Sequence, residues 1–126
     1  QDVKKLVETL KREERHEYKF HTRVMRPWGS ATTIRENKIY RIRMLEILPE
    51  KSMSLQRHKH RSEHWVVLQG TADVQRGDQK VLLKENESAY IPKGMPHRLG
   101  NSAKNPLQII EVQQGQYLGD DDIEQL

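Results

Sequence analysis

A chain of 126 residues has the length of one compact domain. Its hydrophobic fraction of 34% and mean hydropathy of −0.93 allow only a small core, and no apolar run approaches the ~20 residues that cross a bilayer. The formal net charge of +4 is not massed in a basic run, and with only seven aromatic residues the chain points away from nucleic acid and towards an anionic small ligand. Without cysteine it has neither disulfides nor a thiolate site. No signal peptide is read at the start, so the cytoplasm is the expected location and no membrane is expected as a partner. Gln1 in place of Met reads as a piece of something longer.

Residues 2–19 read as a helix. Val3, Leu6, Val7 and Leu10 recur at helical spacing on a Lys/Glu background with no Pro or Gly. The plain reading is an exposed amphipathic helix with one packed stripe; the sharper one is a connector or dimerisation helix. The pattern changes near Pro27. Short strands are expected at Ile39–Leu48, Met53–His58, Trp65–Leu68, Ala72–Gln75, Lys80–Leu83, Ser88–Ile91 and Leu107–Gln113. Turns are expected at Pro49-Glu-Lys-Ser, at Arg61-Ser62, and at Arg76-Gly-Asp-Gln between two strands of a hairpin. About seven strands at turn spacings of ~8–12 residues predict a sandwich or barrel. The acidic tail Asp120-Asp-Asp reads as a solvated terminus or the start of a short helix. Trp28 and Trp65 read as core residues, and His16 and His21 as surface histidines.

The chemistry gathers in two stretches, Gln56 to Gly70 and Pro92 to Asn101. Imidazoles and carboxylates at close spacing suit a borderline divalent metal. Residues two apart on a strand share a face, so Gln56, His58 and His60 group together. Glu63 opens the next strand, with Trp65 and Val67 on its face and His64, Val66 and Leu68 opposite. His97 follows a Pro-x-Gly turn that projects it back towards these strands. Two ligand sets are compatible with this layout: one that includes Glu63, and one made of His58, His60, His64 and His97.

The same residues resemble the two cupin motifs. Pro92-x-Gly94-x-x-His97-x-x-x-Asn101 matches the second motif in full, and Glu63 with Gly70 keeps the six-residue gap of the first. Gln56 stands where many cupins have histidine. Asn86 stands where a glycine commonly opens the second motif, a mild departure because Asn tolerates left-handed backbone. The wider pattern is similar to the C-terminal domain of type II phosphomannose isomerases. It comprises Arg26-Pro-Trp-Gly-Ser30, Ser54-Leu-Gln-x-His-x-His-Arg-x-Glu-His-Trp65, Tyr90-Ile-Pro, His97-Arg-Leu, Ile110-Glu-Val-Gln and Gly115-x-Tyr-Leu-Gly-Asp-Asp-Asp-Ile123.

That resemblance implies an all-β double-stranded β-helix over residues 25–126, preceded by a helical connector over 1–24. It implies Gln56, His58, Glu63 and His97 as metal ligands. Zinc is the first expectation, and cobalt, manganese, iron or nickel would also suit the shell. The implied reaction interconverts mannose 6-phosphate and fructose 6-phosphate on the route to GDP-mannose and polysaccharide. Glu111, in an otherwise apolar strand, is the first candidate base, with His60 and His64 as alternatives. Arg98, beside His97, is placed with the catalytic group. Arg61, Arg98 and Lys93 are expected on the substrate phosphate. The implied partners are a sugar phosphate, a second copy in a homodimer, and a fused mannose-1-phosphate guanylyltransferase domain, whose Gly-rich signature this chain lacks. The alternative is a cupin that binds metal without catalysis and serves to dimerise or regulate that attached domain.

Overall fold

The computed structural model describes Lys4, Lys5, Val7, Glu8 and residues 22–126. Of the helix expected over 2–19, those four residues are helical; the rest of it, with His16 and His21, lies outside the described residues. Twelve strands follow among the described residues: β1 (Arg23–Arg26), β2 (Gly29–Glu36), β3 (Tyr40–Ile47), β4 (Lys51–Ser52), β5 (Gln56–Arg57), β6 (Arg61–Gln69), β7 (Ala72–Arg76), β8 (Gln79–Leu83), β9 (Ser88–Ile91), β10 (His97–Asn101), β11 (Leu107–Gly115) and β12 (Glu124–Gln125). They form two antiparallel sheets, ordered β1-β2-β3-β11-β6-β9 and β12-β5-β10-β7-β8, with β4 also paired to β10.

Side-chain alternation along the three central strands of the first sheet sets the interior. Leu45 and Ile47 on β3, Trp65 and Val67 on β6, and Leu107 and Ile109 on β11 meet Val74 and Leu99 of the second sheet in the inner core. The same faces continue as Arg41 and Arg43, Arg61 and Glu63, and Glu111 and Gln113. Ladder registers place Leu45, Ile109 and Val67 in one row, Arg43, Glu111 and Trp65 in the next, and Arg41, Gln113 and Glu63 beyond it. The interior is therefore apolar at one end and charged at the other. The opposite faces carry Ile42, Met44, Val66, Ile110 and Val112 in a second apolar cluster, which Val7 of the helix joins. Val7 thus packs on the outer surface of the first sheet, whose central strands carry an apolar cluster on each face.

Several sequence expectations change here. β1, β2, β4, β10 and β12 were not foreseen as strands; β4 takes the second half of the turn expected at Pro49-Glu-Lys-Ser. β2 is built of small polar residues, and its Ser30 and Thr32 are buried without any aliphatic alternation to announce it. Arg61-Ser62 is not a turn: both residues belong to β6, and the bend falls at Lys59-His60. The hairpin stands where expected, but Arg76 pairs with Gln79 in the ladder. Only Gly77 and Asp78 remain between the strands, with Gly77 in the left-handed region at φ 56. Asn86 does take left-handed backbone, at φ 69.

One close approach fixes the charged end. Gly115 sits opposite Arg61 in the β11–β6 ladder, and a Cβ there would lie 2.2 Å from the His60 carbonyl oxygen. Gly115→Ala must push β11 from β6 at Arg61. The expected cost is about 1–3 kcal/mol of unfolding free energy, measured as a lower urea midpoint with an unchanged slope.

Candidate metal centre

β6, β10 and the segment just after β5 bring three side chains together at the charged end. His58, Glu63 and His97 are 3%, 2% and 1% exposed, and each offers a ligand atom within 4.8 Å of the others. His58 Nε2 is 3.4 Å from Glu63 Oε2, and His97 Nε2 is 3.7 Å from Glu63 Oε1. The turn before β10 is tied to the first motif by the Gly94 N–H, which donates to the His58 carbonyl at 2.7 Å.

The opposite ring nitrogens fix the tautomers. His58 Nδ1 lies 2.6 Å from the Asp122 carbonyl and His97 Nδ1 2.9 Å from that of Met95. A carbonyl only accepts, so each Nδ1 carries the proton and each Nε2 presents a lone pair to Glu63. His97 Nε2 is buried with no hydrogen-bond partner. Two inward lone pairs facing a carboxylate form a donor set for a cation, and backbone carbonyls hold the ligand rings as is usual behind metal-bound histidine. Gln56, 6% exposed, is the cross-strand partner of His97 and shares its interior face. These residues fit a divalent metal; a mixed imidazole, amide and carboxylate shell does not select among zinc, cobalt, manganese, iron and nickel.

Charge around the cluster is arranged in pairs. Arg61, 6% exposed, donates from Nε to Glu63 Oε2 at 3.0 Å, and its Nη2 is 3.3 Å from His58 Nε2. Arg43 Nε donates to Glu111 Oε1 at 2.8 Å, Gln113 Nε2 to the same oxygen at 2.8 Å, and Trp65 Nε1 to Oε2 at 3.2 Å. Burial alone would raise the Glu111 carboxyl. The Arg43 and Arg61 guanidiniums, with the Arg43 and Trp65 hydrogen bonds, outweigh it and hold the group down at about 2. Burial and the neighbouring Glu111 charge push Glu63 the other way, up to about 8, against the pull of Arg61 and Arg43. Burial first, then the Arg61 charge, lowers His58 to about 4, and burial lowers His97 as well. Both imidazoles are thus held neutral, the state a metal needs.

The acidic tail is not helical, and its three carboxylates differ: Asp120 and Asp121 are exposed, whereas Asp122 is buried. Asp122, 7% exposed, accepts the Lys59 and His60 N–H groups on its two carboxylate oxygens at 2.9 Å each, while its carbonyl fixes His58. Asp120 Oδ1 accepts from Arg41 Nη2 at 2.9 Å, and Arg41 Nε donates to Gln113 Oε1 at 2.7 Å. The segment that ends in β12 is a strap across the charged end of the barrel.

The other expected residues divide sharply. Arg61 is at the cluster and Glu111 lies in the barrel, one row from Glu63. Arg98 does not join them. It alternates with His97 on β10, so it is exposed on the outer face of the second sheet, where Nη2 donates to Gln75 Oε1 at 3.0 Å. Lys93 is exposed on the turn before His97. His60 is exposed, 6.0 Å from the Tyr117 ring, and lines a cavity of about 370 Å³ with Asp122 and Glu124. His64 faces the outer side of β6, its ring 4.6 Å from Tyr90. The His58, His60, His64 and His97 set is therefore not assembled. Sequence reasoning missed Arg41, Arg43, Gln113 and Asp122. The period-two run of Arg41, Arg43 and Leu45 was the available signal for the first two; nothing local marked the others.

Two antiparallel sheets with a His-Glu-His cluster between them are the architecture of a cupin. Solved structures agree on the fold. A Klebsiella pneumoniae protein with a double-stranded β-helix domain aligns at TM-score 0.67 and 20% identity, over 75% of this chain and 81% of that one. KdgF from Halomonas aligns at TM-score 0.73 and 13% identity, over 82% and 92%. The chain belongs to the mannose-6-phosphate isomerase C-terminal family, whose model matches residues 13–126. It is 48% identical over 123 residues to the xanthan biosynthesis protein XanB of Xanthomonas campestris, and 49% identical over 123 residues to the mannose-1-phosphate guanylyltransferase RfbM of Salmonella typhimurium. It is 48% identical over 126 residues to the alginate biosynthesis protein AlgA of Pseudomonas aeruginosa. The alignments cover 98–100% of this chain but 26% of each of those proteins, so the chain spans about a quarter of their length. Among the described residues no helix is long and apolar enough to cross a membrane.

The Trp65 ring is 5.5 Å from that of His97, which makes it a reporter for metal. Titrating chelator-treated protein with Co²⁺ should quench Trp fluorescence saturably. His97→Ala should abolish the saturable phase. Asp122→Ala, which releases the Lys59–His60 bend behind His58, should weaken affinity ~10–100-fold.

Proposed function

We propose that this chain is the metal-dependent isomerase part of a longer protein, interconverting mannose 6-phosphate and fructose 6-phosphate. The observation that carries the reading is the convergence of His58 Nε2, His97 Nε2 and Glu63 inside the barrel, in a chain of this family. Gln56 completes the set, and zinc remains the first metal to try. A bound divalent metal would polarise a sugar carbonyl and ease removal of the adjacent C–H proton.

The chain's own residues supply the rest. Neutral imidazoles present their lone pairs without rearrangement. Arg61, with Nη1 buried and unpartnered, is a donor for an anionic substrate oxygen, and Lys93 is a second cation on the adjoining turn. For the proton moved between C1 and C2, Glu111 is the candidate inside the barrel. Three donors fill three of its roughly four acceptor sites, which leaves one. His60 is the weaker candidate, because the Asp122 strap stands between its cavity and His58. The remaining three quarters of such a protein would hold the guanylyltransferase, and a homodimer is the expected assembly. The alternative, a cupin that only assembles or regulates the attached domain, predicts a metal-loaded chain without turnover.

Turnover of mannose 6-phosphate after chelation and single-metal addition tests the reading. Activity should return with zinc or cobalt and be absent in His97→Ala at every metal. A folded, metal-loaded chain that is silent on this substrate overturns the isomerase assignment. Glu111→Gln should lower kcat by ~10²-fold or more, and His60→Gln by less than ~10-fold. Glu111→Gln also strands the buried Arg43 guanidinium, at an expected cost of about 3–5 kcal/mol of stability, so kcat is to be compared well below the unfolding midpoint.

A further inference from the structure

β7 ends on an arginine that faces the metal cluster. Ala72 and Val74 on this strand are 0% and 2% exposed in the inner core. Arg76, two residues beyond Val74, therefore points inward, while Asp73 and Gln75 point outward towards Arg98. The ladders place Gln56, His97 and Arg76 in one row across β5, β10 and β7. Directly paired residues in an antiparallel ladder have Cα atoms only ~4.5–5.5 Å apart. Arg76 is thus a neighbour of His97 on its interior side, as Gln56 is on the other.

Two further observations single it out. Arg76 Nε is buried without a hydrogen-bond partner. Among the described residues the other such side-chain atoms are Arg61 Nη1, His97 Nε2 and His64 Nδ1; all but the last belong to the interior face at this end. The second is charge. Arg41 has Asp120, Arg43 has Glu111 and Arg61 has Glu63. Arg76 has no carboxylate within ion-pairing distance among the described residues. The residue as a whole is half-buried, but its Nε–H has lost water without gaining an acceptor, which is costly, and an anionic ligand that supplies the acceptor removes that cost. The exposed cations of the outer face, Arg98 and Lys80, cannot serve this interior.

We infer that Arg76 is a specificity residue of this site and grips the phosphate of a phosphorylated sugar beside the metal ligands. This rests on the sugar-phosphate reading above. The guanidinium suits a phosphate dianion, which it can meet with two parallel N–H donors.

The test uses the metal-loaded chain and its Arg76→Gln, Arg76→Lys and Lys80→Gln variants. Arg76→Gln should raise KM for mannose 6-phosphate ~10–100-fold with kcat changed less than about 3-fold. Calorimetry should show inorganic phosphate binding weakened by the same ~10–100-fold factor. Arg76→Lys should recover part of both, because charge is kept and the paired donors are lost. Lys80→Gln, equal in charge change but on the outer face, should leave both unaltered. Co²⁺ affinity should be the same in all four proteins. Phosphate binding that is unchanged in Arg76→Gln, equally weakened in Lys80→Gln, or lost together with Co²⁺ binding overturns the inference. Should the parent chain prove inactive, the isomerase reading falls alone, since phosphate binding by Arg76 is still read directly.

Discussion

The carboxylates of Glu63 and Glu111 lie in adjacent rows inside the barrel, 2% and 1% exposed, and the charged end of the fold depends on making that burial tolerable. Two unpaired anions in a low-dielectric interior would unfold so small a domain. The sheet answers with an arginine for each, Arg61 for Glu63 and Arg43 for Glu111. Gln113 stands between them, donating to Glu111 at 2.8 Å and to Glu63 at 3.4 Å, with its own oxygen held by Arg41. Glu111 is the carboxylate most firmly fixed in the ionised state. Glu63, raised by burial and by that neighbour, is the one with most to gain from a divalent cation.

The C-terminal strap belongs to the same network. Asp120 neutralises Arg41, and Asp122 sets both the Lys59–His60 bend and the tautomer of His58. Residues more than sixty positions downstream therefore determine which nitrogen of His58 faces the cluster. β12 fastens the strap by pairing Gln125 with Gln56 and Glu124 with Arg57, so the strand that carries one expected ligand also anchors the segment that orients another.

The central strands of the first sheet bury apolar side chains on both faces, and this explains how a lean sequence stabilises a charged interior. Its inner face combines half a hydrophobic core with a polar site. Its outer face carries the apolar cluster of Ile34, Ile42, Met44, Val66, Ile110 and Val112, against which Val7 packs. The apolar burial that the site removes from the inner face is supplied on the outer one.

Strand-and-turn spacing was enough for an all-β sandwich or barrel and for the hairpin around Gly77, because these rest on local periodicity; the choice of His58, Glu63 and His97 over the all-histidine set came from the resemblance of two separated motifs to a known family, since spacing alone allowed both. The sequence also separated the faces of β6, with Glu63, Trp65 and Val67 inward. It did not distinguish Arg98 from Arg76. Arg98 is next to His97 in the chain and faces away from it; Arg76 is 21 positions distant and faces the same interior. Chain proximity on a strand alternates faces, whereas ladder register brings remote residues side by side, and register is decided only when the sheets close. The acidic tail shows the same limit. Asp120-Asp-Asp carries no local signal for a buried role, and only the return of the chain across the barrel sets Asp122 behind His58 and Asp120 on Arg41. The tertiary structure decided these placements because desolvated charges must find partners wherever the fold supplies them, and sequence distance does not enter that requirement.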